Sequence, residues 1–232
     1  MFVKNEAAIK VGKYLAVADM HIGLTKDLWK SGISLPSQVK SLADRLNILR
    51  KLTKTETLII VGDLKHNIVG LSLQEKREVP EFLRLLKFKR IIIVKGNHDG
   101  FIEKLTSGIK NVSVKKSFPV SGYVFTHGHR NVPIERGVVH NNKKIIVIGH
   151  NHLCVRFRDD VGAIYTEPVW VRGKAKGKTI IIMPAFNELC GYYSVNKGKF
   201  NGPIASKLSS SCHVYLLDGT DIGRVKDLKL KE

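Results

Sequence analysis

The stretch from Ile91 to Asp99 constrains the fold of this chain more than any other. It begins with four consecutive β-branched residues and ends, just after Gly96, in an amide, an imidazole and a carboxylate. An uninterrupted run of this kind predicts a strand buried on both faces, and the glycine allows the backbone to turn sharply. The side chains after the turn can bind a metal ion, accept protons or donate hydrogen bonds.

The pattern of an apolar run followed by polar residues occurs five times. The polar clusters are, in chain order, Asp19-x-His21, Gly62-Asp63, Gly96-Asn97-His98-Asp99, His127-Gly128-His129 and Gly149-His150-x-His152. Any one of these histidines could be an ordinary core or loop residue. Of the nine histidines, however, only His140 and His213 lie clearly outside these loops and their extensions. Because loops at the carboxyl ends of parallel strands meet at one edge of a sheet, we expect the clusters to converge.

The first half of the chain alternates strand and helix signals. Apolar runs at 14–18, 58–61 and 91–94 predict strands, while helical periodicity extends from Pro36 to about Leu52 and from about Glu78 to Phe88. This alternation predicts an α/β layered fold with parallel pairing at its centre.

The second half is richer in strand signals, at 123–126, 145–149, 155–157, 164–171, 179–183 and 213–217. It predicts a second, largely antiparallel sheet packed against the first. We expect one domain over residues 1–232, with a β-hairpin insert at about 155–178 as an option. Residues 172–178 are interpreted as a solvated hairpin tip, with a loop that follows a phosphate backbone as the alternative. Residues 196–211 are interpreted as a long surface loop, and the tail from about 223 as frayed.

Composition limits the classes of protein that this chain can represent. It has 232 residues, of which 43% are hydrophobic, enough for a substantial core. No apolar run reaches membrane-spanning length, and residues 1–10 lack the apolar core of a signal peptide. Three scattered cysteines are too few for a disulfide framework or a cysteine-based zinc site. We therefore expect a cytoplasmic protein that does not engage a membrane.

The net charge is +19, from 39 Lys and Arg against 20 Asp and Glu. Such an excess attracts polyanions, and nucleic acid is the first candidate. An acidic protein partner or a basic proteome would also account for the charge. Whether the chain has a protein partner stays open, and a homodimer is one option.

The clusters contain carboxylates, imidazoles and an amide but no thiolate. This donor set suits Mn, Fe, Zn, Co or Ni better than Ca or Mg, which prefer oxygen ligands. There are too many candidate ligands for one tetrahedral zinc, but enough for two ions that share a carboxylate. Two ions roughly 3.5–4 Å apart can bind both the attacking and the leaving oxygen of a phosphoryl transfer.

Motif for motif and in the same order, the five clusters resemble the calcineurin-like metallophosphoesterase superfamily, over residues 14 to 152. Four strings further resemble an archaeal branch, which is related to the SbcD-type nuclease subunit and to DNA-ligase-associated phosphoesterases. They are Ala18–Gly23, Gly32–Pro36, Gly62–His66 and Pro184–Asn187. The resemblance implies a four-layer αββα sandwich, with two central mixed sheets and a metal site at the strand carboxyl ends.

The resemblance also implies a dinuclear centre, with manganese expected first and iron, zinc, nickel or cobalt as alternatives. Its implied ligands are Asp19, His21 and His152 for one ion, Asn97, His127 and His150 for the other, and Asp63 as the bridge.

Further roles are implied for residues beside these ligands. His98 would be catalytic, and Asp99 would orient it by accepting the proton of its other ring nitrogen. His129 would lie next to the ligands and contact substrate. Lys65 and His66 would bind the substrate phosphate or, equally, be merely exposed.

These observations support three functions. The leading one is a metal-dependent phosphodiesterase or nuclease, in which metal-bound hydroxide attacks nucleic acid or a nucleotide diester in line. DNA repair is the implied setting. The alternative is a phosphatase or a phosphodiesterase for cyclic or other small nucleotides, and the third is a non-catalytic scaffold with the same fold.

Overall fold

The computed structural model describes residues 1–131 and 145–228. Its first sheet contains β1 (Ile9–Val11), β2 (Tyr14–Val17), β3 (Thr57–Val61), β4 (Arg90–Val94) and β5 (Val112–Lys115), in that order. β1 and β2 are antiparallel, whereas β2, β3, β4 and β5 are parallel to one another. The predicted parallel centre is confirmed.

Four helices connect these strands: α1 (Leu24–Lys30), α2 (Val39–Thr53), α3 (Leu73–Leu85) and α4 (Ile102–Thr106). α2 and α3 bury their apolar residues against the outer face of the first sheet. α2 begins three residues after Pro36. α3 begins five residues before Glu78, because Ser72 and Glu75 form a capping box that satisfies the free N–H groups of its first turn. The short α1 and α4 lack a long apolar period and were not predicted.

The apolar run of β3 is continuous because both of its faces are covered. Leu58 and Ile60 pack in the core formed with the helices. Ile59 and Val61 pack in a separate core that lies between the two sheets. Alternate side chains of a strand point to opposite faces, so a strand in the middle of a layered fold must be apolar throughout.

The second sheet is mixed. In chain order its strands are β6 (Phe118–Val120), β7 (Tyr123–Phe125), β8 (Ile145–Ile148), β9 (Leu153–Arg158), β10 (Ile164–Ala175), β11 (Lys178–Ile182), β12 (Tyr193–Ser194), β13 (His213–Leu216) and β14 (Asp221–Arg224). β7, β8 and β11 are parallel neighbours, while β10 pairs antiparallel with β9, β11 and β13. The fold is the α/β sandwich with two mixed sheets that the sequence predicted.

The outer face of this sheet is covered, in the described residues, by short 3-10 helices and the segments between them. Phe200, Ile204 and Leu208 are buried there. The segment 196–211 is therefore a covering layer and not merely a surface loop. The predicted fraying from residue 223 is wrong as far as Leu228, because β14 pairs with β13 and Val225 is buried in the same core.

Residues 155–178 hold the end of β9, all of β10 and the start of β11. Trp170 of β10 is fully buried between the sheets and stacks on Phe2 at 4.4 Å. The buried residues Val169 to Val171 thus lie in the middle of the second sheet, whereas most of residues 156–167 and the turn at Lys176 and Gly177 are exposed. The assignment of the chain to one domain stays a prediction.

None of the helices found in 1–131 and 145–228 is both long and apolar enough to cross a membrane. The three cysteines are free and buried.

The capping box of α3 provides a test of the fold. Replacing Ser72 with alanine removes the hydroxyl that accepts the Glu75 N–H. We expect the free energy of unfolding to fall by about 1 kcal/mol. Urea denaturation measures this, and Ser72→Asp, which keeps an oxygen acceptor, should unfold close to wild type.

Candidate metal centre

The loops that follow β2, β3, β4, β7 and β8 meet at one edge of the two sheets. The convergence expected from the sequence therefore occurs, and it follows from the parallel pairing of these strands. The side chains brought together are those of Asp19, His21, Asp63, Asn97, His127, His150 and His152.

Metal-binding atoms within this cluster form two groups, and the atoms of each lie within 4.8 Å of one another. One group is Asp19, His21, Asp63 and His152; the other is Asp63, His127 and His150. Asn97 Oδ1 lies 3.1 Å from His127 Nε2 and so adjoins the second group. Asp63 belongs to both groups, the position that a bridging carboxylate requires.

The backbone orients two of the imidazoles. Nδ1 of His127 donates to the carbonyl oxygen of Val61 at 3.0 Å, which leaves Nε2 facing Asp63 Oδ2 at 3.1 Å. Nδ1 of His152 donates to the carbonyl oxygen of Gly191 at 3.2 Å, and its Nε2 lies 3.4 Å from Asp19 Oδ1. Tying one ring nitrogen to a carbonyl fixes the tautomer whose other nitrogen can bind a metal.

The site is built on strained backbone. Non-glycine residues rarely adopt positive φ, and each such residue costs about 1–3 kcal/mol. Five residues of the cluster do so: Asp19 (57°), His21 (45°), Asp63 (51°), His150 (70°) and His152 (44°). Hydrogen bonds between the loops hold this geometry, among them Asp19 N–H to Gly62 O at 3.1 Å.

Three glycines leave the space that the cluster occupies. A Cβ on Gly62 would overlap the His127 ring, and one on Gly96 would overlap the Asp63 carboxylate. A Cβ on Gly149 would lie 2.7 Å from Asp19 Oδ2. The sequence indicated a turn at Gly96, but only the structure reveals that its missing side chain makes room for Asp63.

Burial and mutual charge shift the protonation of the cluster. Burial by itself raises the pKa of Asp63, but the adjacent His127 ring outweighs it and holds that pKa below its ordinary value. Burial would lower the pKa of His127, yet the Asp63 and Asp19 carboxylates raise it to about 9. Burial lowers the pKa of His21 to about 3. His21 is therefore a neutral donor at physiological pH.

These donors fit divalent metal ions. Nε2 of His21 and Nε2 of His152 lie 3.2 Å apart in a largely buried site that also contains the Asp19 and Asp63 carboxylates. Buried carboxylates need compensating positive charge, and imidazole nitrogens facing each other offer lone pairs to a cation. The mixed nitrogen and oxygen set suits first-row transition ions.

The predicted pairing of Asp99 with His98 is wrong. Asp99 is fully buried and accepts backbone N–H groups from Gly96 at 2.8 Å and Leu64 at 2.9 Å. It therefore ties the loop after β4 to the loop after β3. Burial, reinforced by the Asp63 charge, raises the pKa of Asp99 to about 6. The partner of His98 Nδ1 is instead the carbonyl oxygen of His66.

His98 lies at the open side of the cluster. Its backbone N–H donates to Asp63 Oδ1 at 2.9 Å, and its Nε2 lies 3.9 Å from Asp63 Oδ2. The side chain remains 18% exposed. With Nδ1 held by a carbonyl group, Nε2 is the nitrogen that can reach a ligand.

Both readings of Lys65, as a phosphate contact or as an exposed residue, are wrong. The side chain is fully buried, and Nζ donates to the carbonyl oxygens of Asn67 and Gly70. A buried ammonium group needs acceptors, and here it finds them by closing the loop from 65 to 70.

Both ring nitrogens of His66 contact protein groups. Nδ1 lies 3.3 Å from His21 Nδ1, and Nε2 lies 3.3 Å from Asp27 Oδ2. Its contact with the substrate phosphate stays a prediction.

His129 packs beside the ligand rings, 5.3 Å from His127 and 6.3 Å from His150 between ring centroids. Arg130 Nε donates to its Nε2 at 2.6 Å. Its contact with substrate stays a prediction. His140 lies outside the described residues, and His213 pairs with Asp221 on the β13–β14 hairpin.

Three residues outside the predicted set of site residues support the site. Asp27 contacts His66, Asn187 donates to the carbonyl oxygen of Met20 at 2.8 Å, and the buried Cys190 lies close to His21 and His152. Burial raises the pKa of the Cys190 thiol, which keeps it protonated. Asn187 was part of a noted string, but Asp27 and Cys190 carried no sequence signal.

The sequence of residues 12–181 matches the family of calcineurin-like phosphoesterases, and the match covers well over half of the chain. The chain belongs to this family. The predicted resemblance to the superfamily is confirmed, while the narrower archaeal branch stays a prediction. Family membership implies divalent metal ions, for which the two groups of side chains are the candidate site.

Solved structures resemble this phosphoesterase at low sequence identity. The nuclease MPE of Pseudomonas putida is 20% identical with a TM-score of 0.58, over 89% of this chain and 85% of that one. This likeness supports the fold. An E. coli phosphoesterase (16% identity, TM-score 0.44, 91% and 97% coverage) and an archaeal phosphodiesterase (18%, 0.40, 74% and 83%) are less similar. None of the curated proteins matches the sequence significantly.

A pair of glycine variants can test whether the Asp63 carboxylate needs the space that the missing side chain of Gly96 leaves. In Gly96→Ala the new methyl group collides with the Asp63 carboxylate and lies 2.5 Å from the Asp63 backbone nitrogen. We expect the variant to lose most of its bound metal, measured as metal per chain by plasma mass spectrometry.

The matched control is Gly100→Ala, four residues further along the chain. Its Cβ would lie 3.6 Å from Ile68 O, an ordinary contact. It should retain wild-type metal content, and equal loss in both variants would contradict the steric explanation.

Proposed function

We propose that this protein is a dinuclear-metal-dependent phosphodiesterase that acts on nucleic acid or nucleotide diesters. The observation that carries the proposal is the division of the buried donors into two groups that share Asp63, with His98 at their open side. Two adjacent cations and one accessible imidazole suit hydrolysis of a phosphoric ester.

In this proposal, Asp19, His21 and His152 hold one ion, while Asn97, His127 and His150 hold the other. Asp63 contacts both. Manganese is the first candidate, with iron, zinc, nickel or cobalt as alternatives. When bound, the ions supply positive charge to the phosphoryl oxygens and acidify a water molecule.

The protein's own contribution centres on His98. The carbonyl group of His66 keeps one proton on Nδ1, so in the imidazolium form the Nε2–H group can donate to a phosphoryl oxygen or to the leaving oxygen. The hydrogen bond from the His98 backbone N–H to Asp63 fixes the ring relative to the metal ligands. Asp99 positions both loops through their backbone N–H groups.

The substrate class rests on charge. A net charge of +19 favours a polyanionic substrate, because a positive field concentrates phosphate-rich partners. We accordingly place nucleic acid first, with a role in DNA repair in the cytoplasm. A phosphatase or a small-nucleotide phosphodiesterase would use the same site. The choice of substrate distinguishes these alternatives from a nuclease.

The substrate test compares bis-aryl and mono-aryl phosphates, run beside single- and double-stranded DNA, with manganese-loaded protein. We expect the diester and at least one form of DNA to be hydrolysed in preference to the monoester. Preference for the monoester with DNA untouched would overturn the nuclease proposal and favour a phosphatase.

The dinuclear assignment makes a prediction about metal content. Asp63→Ala should lose both ions, since both groups share its carboxylate, whereas His152→Ala should lose one. Metal per chain, measured after dialysis, distinguishes the two. Loss of a single ion from Asp63→Ala would contradict the bridging role.

The role of His98 predicts a different outcome. His98→Gln should retain both ions and lose about 10²–10⁴-fold in turnover, as expected when a general acid is removed. His213→Gln, on a distant hairpin, is the control and should be fully active. A His98 variant that loses metal would show that this residue acts as a ligand.

A further inference from the structure

Three side chains form a connected series that runs from the protein surface to the proposed metal centre. Asp27 on α1 contacts His66, and His66 contacts His21. The side chain of Asp27 is half exposed, that of His66 is 23% exposed, and that of His21 is buried. The series therefore passes from solvent to the interior.

The atoms that face one another are specific. Nε2 of His21 points into the cluster, 3.2 Å from His152 Nε2 and 3.8 Å from Asp63 Oδ2. Nδ1 of His21 points away from it and lies 3.3 Å from His66 Nδ1. On the far side of the second ring, His66 Nε2 lies 3.3 Å from Asp27 Oδ2.

Only one arrangement of protons satisfies these contacts when a cation is bound. A metal ligand must offer a lone pair, so His21 Nε2 carries no proton and Nδ1 does. His66 Nδ1 must then accept that proton's hydrogen bond, which leaves the His66 proton on Nε2. This N–H donates to the Asp27 carboxylate.

We propose that Asp27 and His66 are positioning residues, which fix the tautomer and orientation of His21 and thereby strengthen one of the two metal sites. The inference rests on the proposed function, because it assumes that His21 is a ligand. This role is different from the phosphate contact that the sequence analysis expected of His66. Carboxylates that act through an imidazole on a metal typically change metal affinity by about 10–100-fold.

His66 also reaches the second functional imidazole. Its backbone carbonyl group accepts from His98 Nδ1, while its ring contacts His21. The ring centroids of His66 and His98 are 5.7 Å apart. One residue thus sets the tautomers of both His21 and His98, one through its side chain and the other through its main chain.

The local charges support this arrangement. Lys30 Nζ donates to Asp27 Oδ1 at 2.7 Å, which leaves Oδ2 to face His66. The carboxylate is thereby held toward the ring. Asp27 is half exposed, so removing its carboxylate does not leave a fully buried polar group without a hydrogen-bond partner. We therefore expect the fold to tolerate the change.

The test is a titration of metal-free protein with Mn²⁺, comparing wild type with Asp27→Ala. We expect one binding step to weaken by about 10–100-fold while the other stays unchanged. The melting temperature of the metal-free variant should equal that of wild type. Asp27→Asn, which keeps an oxygen acceptor, should bind nearly as well as wild type.

Lys26→Ala is the matched control, since Lys26 is exposed on the same helix and lies outside this series of contacts. It should bind both ions with wild-type affinity. Nitrogen NMR of the zinc-loaded protein gives an independent readout: the His66 proton should reside on Nε2 in wild type and lose that preference in Asp27→Ala.

Two results would overturn the inference. One is unchanged affinity for both ions in Asp27→Ala. The other is equal weakening of both ions with a lower melting temperature, which indicates a purely structural role. Failure here differs from failure of the proposed function: if Asp63→Ala loses both ions while Asp27→Ala is normal, only the positioning role is wrong.

Discussion

The structure depends on the contacts of one buried carboxylate. Asp63 leaves the end of β3 in the first sheet, and its Oδ2 lies 3.1 Å from Nε2 of His127, which follows β7 in the second sheet. Its Oδ1 accepts the backbone N–H of His98, after β4. Three loops from two sheets are thus held by a single side chain, and a buried charge requires such partners.

Around that carboxylate, the backbone adopts conformations that lower the stability of the fold but place the metal-binding side chains together. Asp63 and four other members of the cluster adopt positive φ, and glycines stand where a methyl group would enter the site. Such strain persists only where the surroundings over-determine it. Here the surroundings are two apolar cores, one on each side of β3, which fix the strand whose end carries Asp63.

Sequence reasoning succeeded where a signal is local. Continuous apolar runs predicted the central strands, and the polar clusters after them predicted which side chains would meet. It failed where a contact depends on side-chain direction. Asp99 adjoins His98 in sequence but turns to the backbone of Leu64 and Gly96, and Lys65 lies only two residues after Asp63 but is buried under its own loop. The side chains of neighbouring residues in a turn point in different directions, and the hydrophobic periodicity of the sequence does not predict those directions.

The sequence by itself determined the layered fold, the edge at which its loops converge, and the donor types gathered there, because each follows from apolar periodicity and from strand ends. Only the tertiary structure decided how those donors divide into two groups around Asp63, and that Asp27, with no sequence signal of its own, reaches His21 through His66. The reason is physical: such contacts join residues far apart in the chain, and they exist only once the sheets have packed.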